Sequence, residues 1–164
     1  MPALPALLTR PATLADLPAL APLFDAYRQF YEQAPDLALA TRFISARMER
    51  QESVVLVAER AGRLLGFCQL YPSFCSVLAQ PIYVLYDLFV DPAARKTGAG
   101  KALLLAAEAH ARQEGMARMD LTTAHTNTTA QSLYAALGWE RDQVFMAYNK
   151  VLAKTTFPPS NAPR

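Results

Sequence analysis

The chain has 164 residues, 52% hydrophobic and 18% charged against a usual charged share of about 25%, which excludes a disordered or tail-like protein. Such a length suits one domain with a sizeable core. Lys and Arg total 16 against 14 Asp and Glu, a formal net charge of +2, too little for a main partner that is nucleic acid or an anionic membrane unless the charge is concentrated locally.

The apolar N-terminus does not read as a signal peptide. It lacks a basic leading region, Pro5 cuts its apolar run, and Arg10, Pro11 and Asp16 follow at once. No stretch approaches the roughly 18 uninterrupted apolar residues of a membrane span, so the expected location is the cytoplasm. Residues 7–10 read as a short first strand. Thr13 with Asp16 three positions on resembles a capping box in which Asp stands in for Glu. The helix behind it must tolerate Pro18 and Pro22, which places its continuous part over 21–32, with Leu20, Leu23, Phe24, Tyr27 and Tyr31 as the buried stripe. A second amphipathic segment covers 39–50.

Residues 53–59 and 64–71 form a predicted hairpin about Ala61 and Gly62, and 82–90 is nearly continuously apolar, as in a strand buried on both faces. A long helix is expected over 98–114, then a strand at 119–123, a helix at 128–137 and a last strand at 144–149. That last strand is rich in apolar residues, and as an uncovered edge it invites pairing with a second copy. The order predicts an α/β protein, a mixed sheet with helices packed on it. Residues 151–164 read as a disordered tail.

Two passages carry chemistry. In the first, the buried strand ends at Val90, Asp91 and Pro92 turn the chain, and Gly98 and Gly100 open a helix. The first amides of a helix have no acceptor within it, and its dipole adds partial positive charge. Glycines let a phosphate approach the backbone, and Arg95, Lys96 and Lys101 supply charge. A pyrophosphate cradle fits this pattern, and so does a tight turn with solvated basic residues. Neither the dinucleotide fingerprint nor a P-loop is present: position 103 is Leu, and Ala102 follows Lys101.

In the second passage, Asn127, Ala130 and Tyr134 stand at i, i+3 and i+7. They share one helical stripe about 10 Å long, with a small residue between two polar ones. An extended thin ligand could follow that stripe, and Tyr134 would offer it a phenolic proton with an ordinary pKa of about 10. Equally, Tyr134 reads as a core residue with its hydroxyl at the edge.

The two passages together resemble the GNAT superfamily of N-acetyltransferases. Arg95, Gly98 and Gly100 match the family's Q/R-x-x-G-x-G/A loop. Asn127 through Trp139 match N-x-x-A-x-x-[FL]-Y-x-x-x-G-[FW] throughout, and Arg10 to Asp16 looks like the usual lead into the first helix. The resemblance spans 7–150, which makes 1–150 a single acetyltransferase domain. It implies a mostly antiparallel sheet of about six or seven strands flanked by about four helices. The stretch around 86–90 is also similar to diamine and polyamine acetyltransferases.

The resemblance further implies acetyl-CoA as co-substrate, with no metal. Leu88, Phe89 and Val90 would pair with its pantetheine arm beside a bulge. Residues Arg95, Lys96, Thr97, Gly98, Ala99, Gly100 and Lys101 would hold its pyrophosphate. Asn127 and Ala130 would line the arm, and Tyr134 would protonate the leaving thiolate. Asp87, a lone carboxylate in an apolar run, reads as the base, as a binder of the cationic acceptor, or as a carboxylate tied to a sheet bulge. Tyr27, Tyr31 and Glu32 are expected at the acceptor. Cys68 and Cys75 read as small core residues, and with two histidines they give no metal-ligand spacing. The expected partners are a small-molecule amine, coenzyme A and a second copy of the chain, with no nucleic acid and no membrane. Protein N-acetylation and a non-catalytic acyl-CoA-binding regulator are the alternatives.

Overall fold

A computed structural model describes residues 5–153, and the chain divides into two units, Met1–Leu121 and Thr122–Arg164. The first opens with strand β1 (Leu8–Pro11). Arg10 bridges Asp16 and Glu59, each at 2.8 Å, and Asp16 accepts from the Thr13 amide at 2.7 Å, so the expected box forms with Asp as its acid. Helix α1 (Leu17–Phe30) starts earlier than 21 because Pro18 falls in the first turn, where a missing N–H costs nothing. Pro22 lies inside it on the exposed side, where the carbonyl it leaves unpaired reaches water.

Helix α2 (Leu37–Glu49) is capped by Asp36, whose carboxylate accepts from the Leu39 amide at 2.9 Å. Buried Asp25 ties the connection together by accepting from Arg28, Gln29 and the Asp36 amide. Strands β2 (Val54–Arg60), β3 (Arg63–Cys75) and β4 (Gln80–Val90) follow as an antiparallel meander. Helix α3 (Ala99–Gln113) then leads to β5 (Met119–Asp120), which pairs with β4 in parallel.

The sheet order is β1-β2-β3-β4-β5. Phe67 and Phe89 on one face pack with Leu20 and Phe24 of α1 and with Ala40 and Ile44 of α2. The opposite face carries Tyr83, whose ring stacks 5.8 Å from His110 of α3. This is a mixed α/β fold, and among the described residues its sheet has five strands, not the six or seven expected.

Residues 144–149 account for part of that difference. They form no strand, and Val144, Phe145, Met146 and Tyr148 are 80–86% exposed. Asp142 accepts from the amides of Val144 (2.7 Å) and Phe145 (2.9 Å), so its side chain takes donors that a ladder would need. The strand expected over 119–123 pairs through two residues only. In the second unit, α4 (Thr128–Ala136) is the one helix among the described residues. Most of the expected tail, from residue 154 on, lies outside the described residues. Among those described, no helix is long and apolar enough to cross a membrane.

Candidate active site

The site in the first unit is built by one extra residue in β4. Leu85 opposes Leu70 of β3 and Asp87 opposes Gln69, which leaves Tyr86 with no partner of its own. Side chains alternate along a strand, so without this bulge Leu85 and Asp87 would share a face. With it, Leu85 stays with Leu70 while Asp87 joins Gln69, Phe67 and Phe89 on the face that α1 covers.

Asp87 is 4% exposed. Burial raises its pKa above the ordinary carboxylate value, against the hydrogen bond from Gln69 and the nearby Tyr27 hydroxyl, which favour the ionised form. Gln69 Nε2 donates to Asp87 Oδ2, and Ser53 Oγ donates to Gln69 Oε1 at 2.7 Å. The Tyr27 hydroxyl donates to the Tyr86 carbonyl at 3.3 Å. The Tyr27 ring stands edge-on to Tyr31 (5.1 Å) and to Phe67 (6.0 Å), and Tyr71 and Tyr86 form a second such pair at 5.5 Å. Burial and the nearby Asp87 charge raise the pKa of Tyr27, Tyr31 and Tyr71, so these phenols stay protonated. The result is one carboxylate inside an aromatic wall, suited to an ammonium group.

Glu32, expected at the acceptor, is exposed in the turn after α1 with a left-handed φ of 61°. Sequence reading missed Gln69 and Ser53. The available signal was a lone amide inside an otherwise apolar strand, where a polar group is costly unless both its ends are paired.

Beyond Val84, β4 has no strand partner on its β5 side among the described residues, so the outward backbone groups of Leu88, Phe89 and Val90 are open. The strand ends where Asp91 accepts from the Ala93 amide (2.9 Å) and from Arg63 (3.0 Å). Thr97 Oγ1 donates to the Ala94 carbonyl at 2.6 Å, Lys96 has a φ of 62°, and Gly98 caps α3 in the left-handed region at φ 86°. The amides of Ala99, Gly100 and Lys101 head that helix without an acceptor among the described residues. Arg95, Lys96 and Lys101 are exposed. Open amides at a helix start beside exposed basic side chains are the features that an anion-binding turn requires.

In the second unit, Asn127 caps α4, its side-chain oxygen accepting from the Ala130 amide at 3.3 Å. The other end closes by a Schellman pair: Trp139 N–H donates to the Tyr134 carbonyl at 3.0 Å, and Gly138 N–H to that of Ala135 at 3.1 Å. The half-buried ring of Tyr134 lies 6.1 Å from that of Trp139. The Tyr-x-x-x-Gly-Trp spacing is therefore a helix stop.

Cys68 is fully buried and its thiol is pushed up to about 12, mainly by that burial, so it is no nucleophile. Among the described residues no cluster of three or more His, Cys, Asp or Glu could hold a metal ion.

This arrangement of strand, glycine-marked turn and helix has known counterparts. Residues 18–139 match the acetyltransferase (GNAT) family, and the chain belongs to it. It is 50% identical over 139 residues to the uncharacterized N-acetyltransferase YhfO of Bacillus subtilis (strain 168), covering 85% of this chain and 93% of that protein. A crystal structure of a probable acetyltransferase is 36% identical with a TM-score of 0.83, over 92% of this chain and 99% of the other. The aminoglycoside N-acetyltransferase AAC(6')-Iy, solved in complex with CoA, shares the fold at 20% identity and a TM-score of 0.77, over 92% and 98%. The protein is a GNAT acetyltransferase.

Proposed function

We propose that the chain, as one domain over 1–150, moves the acetyl group of acetyl-CoA to a primary amine of a small molecule by direct attack. The observation that carries this reading is the bulge at Tyr86, which buries Asp87 under α1 while the same strand keeps an open edge leading into the Gly98 turn. The CoA bound by the fold neighbour AAC(6')-Iy supports the choice of co-substrate.

The open backbone of Leu88, Phe89 and Val90 pairs with the pantetheine arm. The turn formed by Arg95, Lys96, Thr97, Gly98, Ala99, Gly100 and Lys101 holds the pyrophosphate, and Asn127 and Ala130 line the arm. Tyr27, Tyr31 and Glu32 receive the acceptor, which arrives as an ammonium. Asp87 takes its proton, and the neutral amine adds to the thioester carbonyl. A backbone N–H near Leu88 stabilises the oxyanion. Collapse breaks the carbon–sulfur bond, and Tyr134 gives its proton to the departing thiolate. The proton that the added nitrogen then sheds returns through water to the phenolate. This leaves the amide, the free thiol and the proton held by Asp87, which passes to solvent. Amino acids, diamines and polyamines fit a single carboxylate within aromatic rings. The exposed apolar side chains of 144–148 support a homodimer.

Calorimetric titration with acetyl-CoA, followed by thiol release over a panel of small amines and peptide N-termini, tests the reading. Binding with turnover on a small amine is expected. Asp87→Asn should lower kcat/KM by about 10²–10⁴-fold and leave acetyl-CoA affinity in place. Because protonated Asp87 cannot accept a proton, activity should fall as pH drops through its raised pKa. Turnover on peptides alone, or a fully active Asp87→Asn, would overturn it.

A further inference from the structure

We infer that Gln69 is the positioning residue for Asp87, and that Ser53 fixes which way the Gln69 amide points. The inference rests on the reading of Asp87 as the base.

Gln69 is fully buried, directly opposite Asp87 in the β3–β4 ladder. An ionised carboxylate only accepts hydrogen bonds, so the amide must turn its NH₂ towards Asp87 and its oxygen away. That oxygen then needs a donor, and Ser53 Oγ supplies one at 2.7 Å. The chain of donors runs in one direction, from Ser53 through Gln69 to Asp87 Oδ2. With Asp87 protonated, this polarity is no longer demanded. Gln69 engages a single carboxylate oxygen, which holds the group in one orientation and leaves Oδ1 outside the chain.

The surroundings provide little else. The titratable groups that feel Asp87 are Tyr27 on α1, Tyr31 just past its end, and Cys68 and Tyr71 on β3, with Tyr86 beside it on β4; none is a cation. Against the cost of burial, the ionised form therefore depends chiefly on a neutral donor, Gln69, because the one proton of the nearby Tyr27 hydroxyl is engaged by the Tyr86 carbonyl. Met or Leu would pack in this strand without any polar group to satisfy. The amide is explained by the carboxylate across from it.

The test is the titration of the Asp87 carboxyl, followed by carbon-13 NMR on the ligand-free protein. Gln69→Met keeps length and flexibility and removes the donor. Losing a donor to the charged form raises the pKa, so the midpoint should rise by about one to two pH units. The acid limb of kcat/KM should move with it. Ser53→Ala, at the half-buried end, should move the midpoint the same way by less, and serves as the second variant if Gln69→Met folds poorly. In an Asp87→Asn background, Gln69→Met should cost no further rate, whereas a merely structural residue would cost the same in both backgrounds.

An unmoved midpoint in both variants overturns the inference whatever Asp87 does. A moved midpoint with a fully active Asp87→Asn overturns the reading of Asp87 as base and leaves the hold of Gln69 on it standing.

Discussion

Gly66 occupies a position where the backbone of the next strand takes the place of a side chain. A Cβ there would lie 2.5 Å from the Phe89 carbonyl oxygen and 3.1 Å from Val90 Cα, both backbone atoms that cannot rotate aside. Gly66→Ala must push β4 away from β3, a cost of roughly 1–3 kcal/mol. A lowered urea midpoint is the expected result, together with weaker acetyl-CoA binding, because the displaced residues are those assigned to the arm. At Tyr134 the proposed proton donor is also a packing residue. Tyr134→Phe keeps the ring beside Trp139 and removes one labile proton. We expect kcat to drop by about 10²–10⁴-fold. Stability and acetyl-CoA affinity should hold, since at most one hydrogen bond worth about 1 kcal/mol is lost. Loss of stability together with affinity would make Tyr134 a core residue.

At the scale of elements, the lead into α1 gives a prediction with a defined sign. Arg10 and the Thr13 amide lower the Asp16 pKa to about 2, against about 3.9 in an unfolded chain. The group binds its proton more readily when unfolded, so its contribution is present above about pH 4 and is lost as pH falls through 2. Asp16→Asn should cost about 1 kcal/mol at neutral pH, allowing for the partial exposure of Arg10. The gap between variant and wild type in thermal melts should close near pH 2. This box was legible because a cap and its partner lie three residues apart. The bulge at Tyr86 was not legible from pattern alone. It depends on the register of β3 against β4, and the run Ile-Tyr-Val-Leu-Tyr-Asp-Leu-Phe-Val has no alternation that marks an extra residue. For the same reason Gln69 went unread: its meaning comes from a residue eighteen positions away. Residues 144–149 misled in the other direction, because composition favoured a strand while the nearby Asp142 claimed its first amides.

For the whole molecule, the sequence order of elements was enough for the fold class, and the two glycine-marked helix ends were enough for the family. The number of strands needed the structure. So did the placing of the residues expected at the acceptor: Tyr27 and Tyr31 feel the Asp87 charge, while Glu32 sits in an exposed turn. Association remains a matter of exposed apolar surface. Phe145, Met146 and Tyr148 at 80–86% exposure predict a particle of twice the chain mass by light scattering at about tens of micromolar, a working range for modest affinities. Phe145→Glu should return it to a single chain. A wild-type monomer at that concentration would count against the dimer.

The open side of β4 has a cost that appears only in the empty protein. Unpaired strand amides exchange their hydrogens with water and serve as a template for any other extended chain. On the proposed reading this edge is kept free for coenzyme A, and it is therefore also the place where two unliganded molecules can stick. Deuterium uptake along Leu88, Phe89 and Val90 should slow when coenzyme A is added, and shelf life at high concentration should lengthen with it. The purified enzyme should keep best with its coenzyme in the buffer.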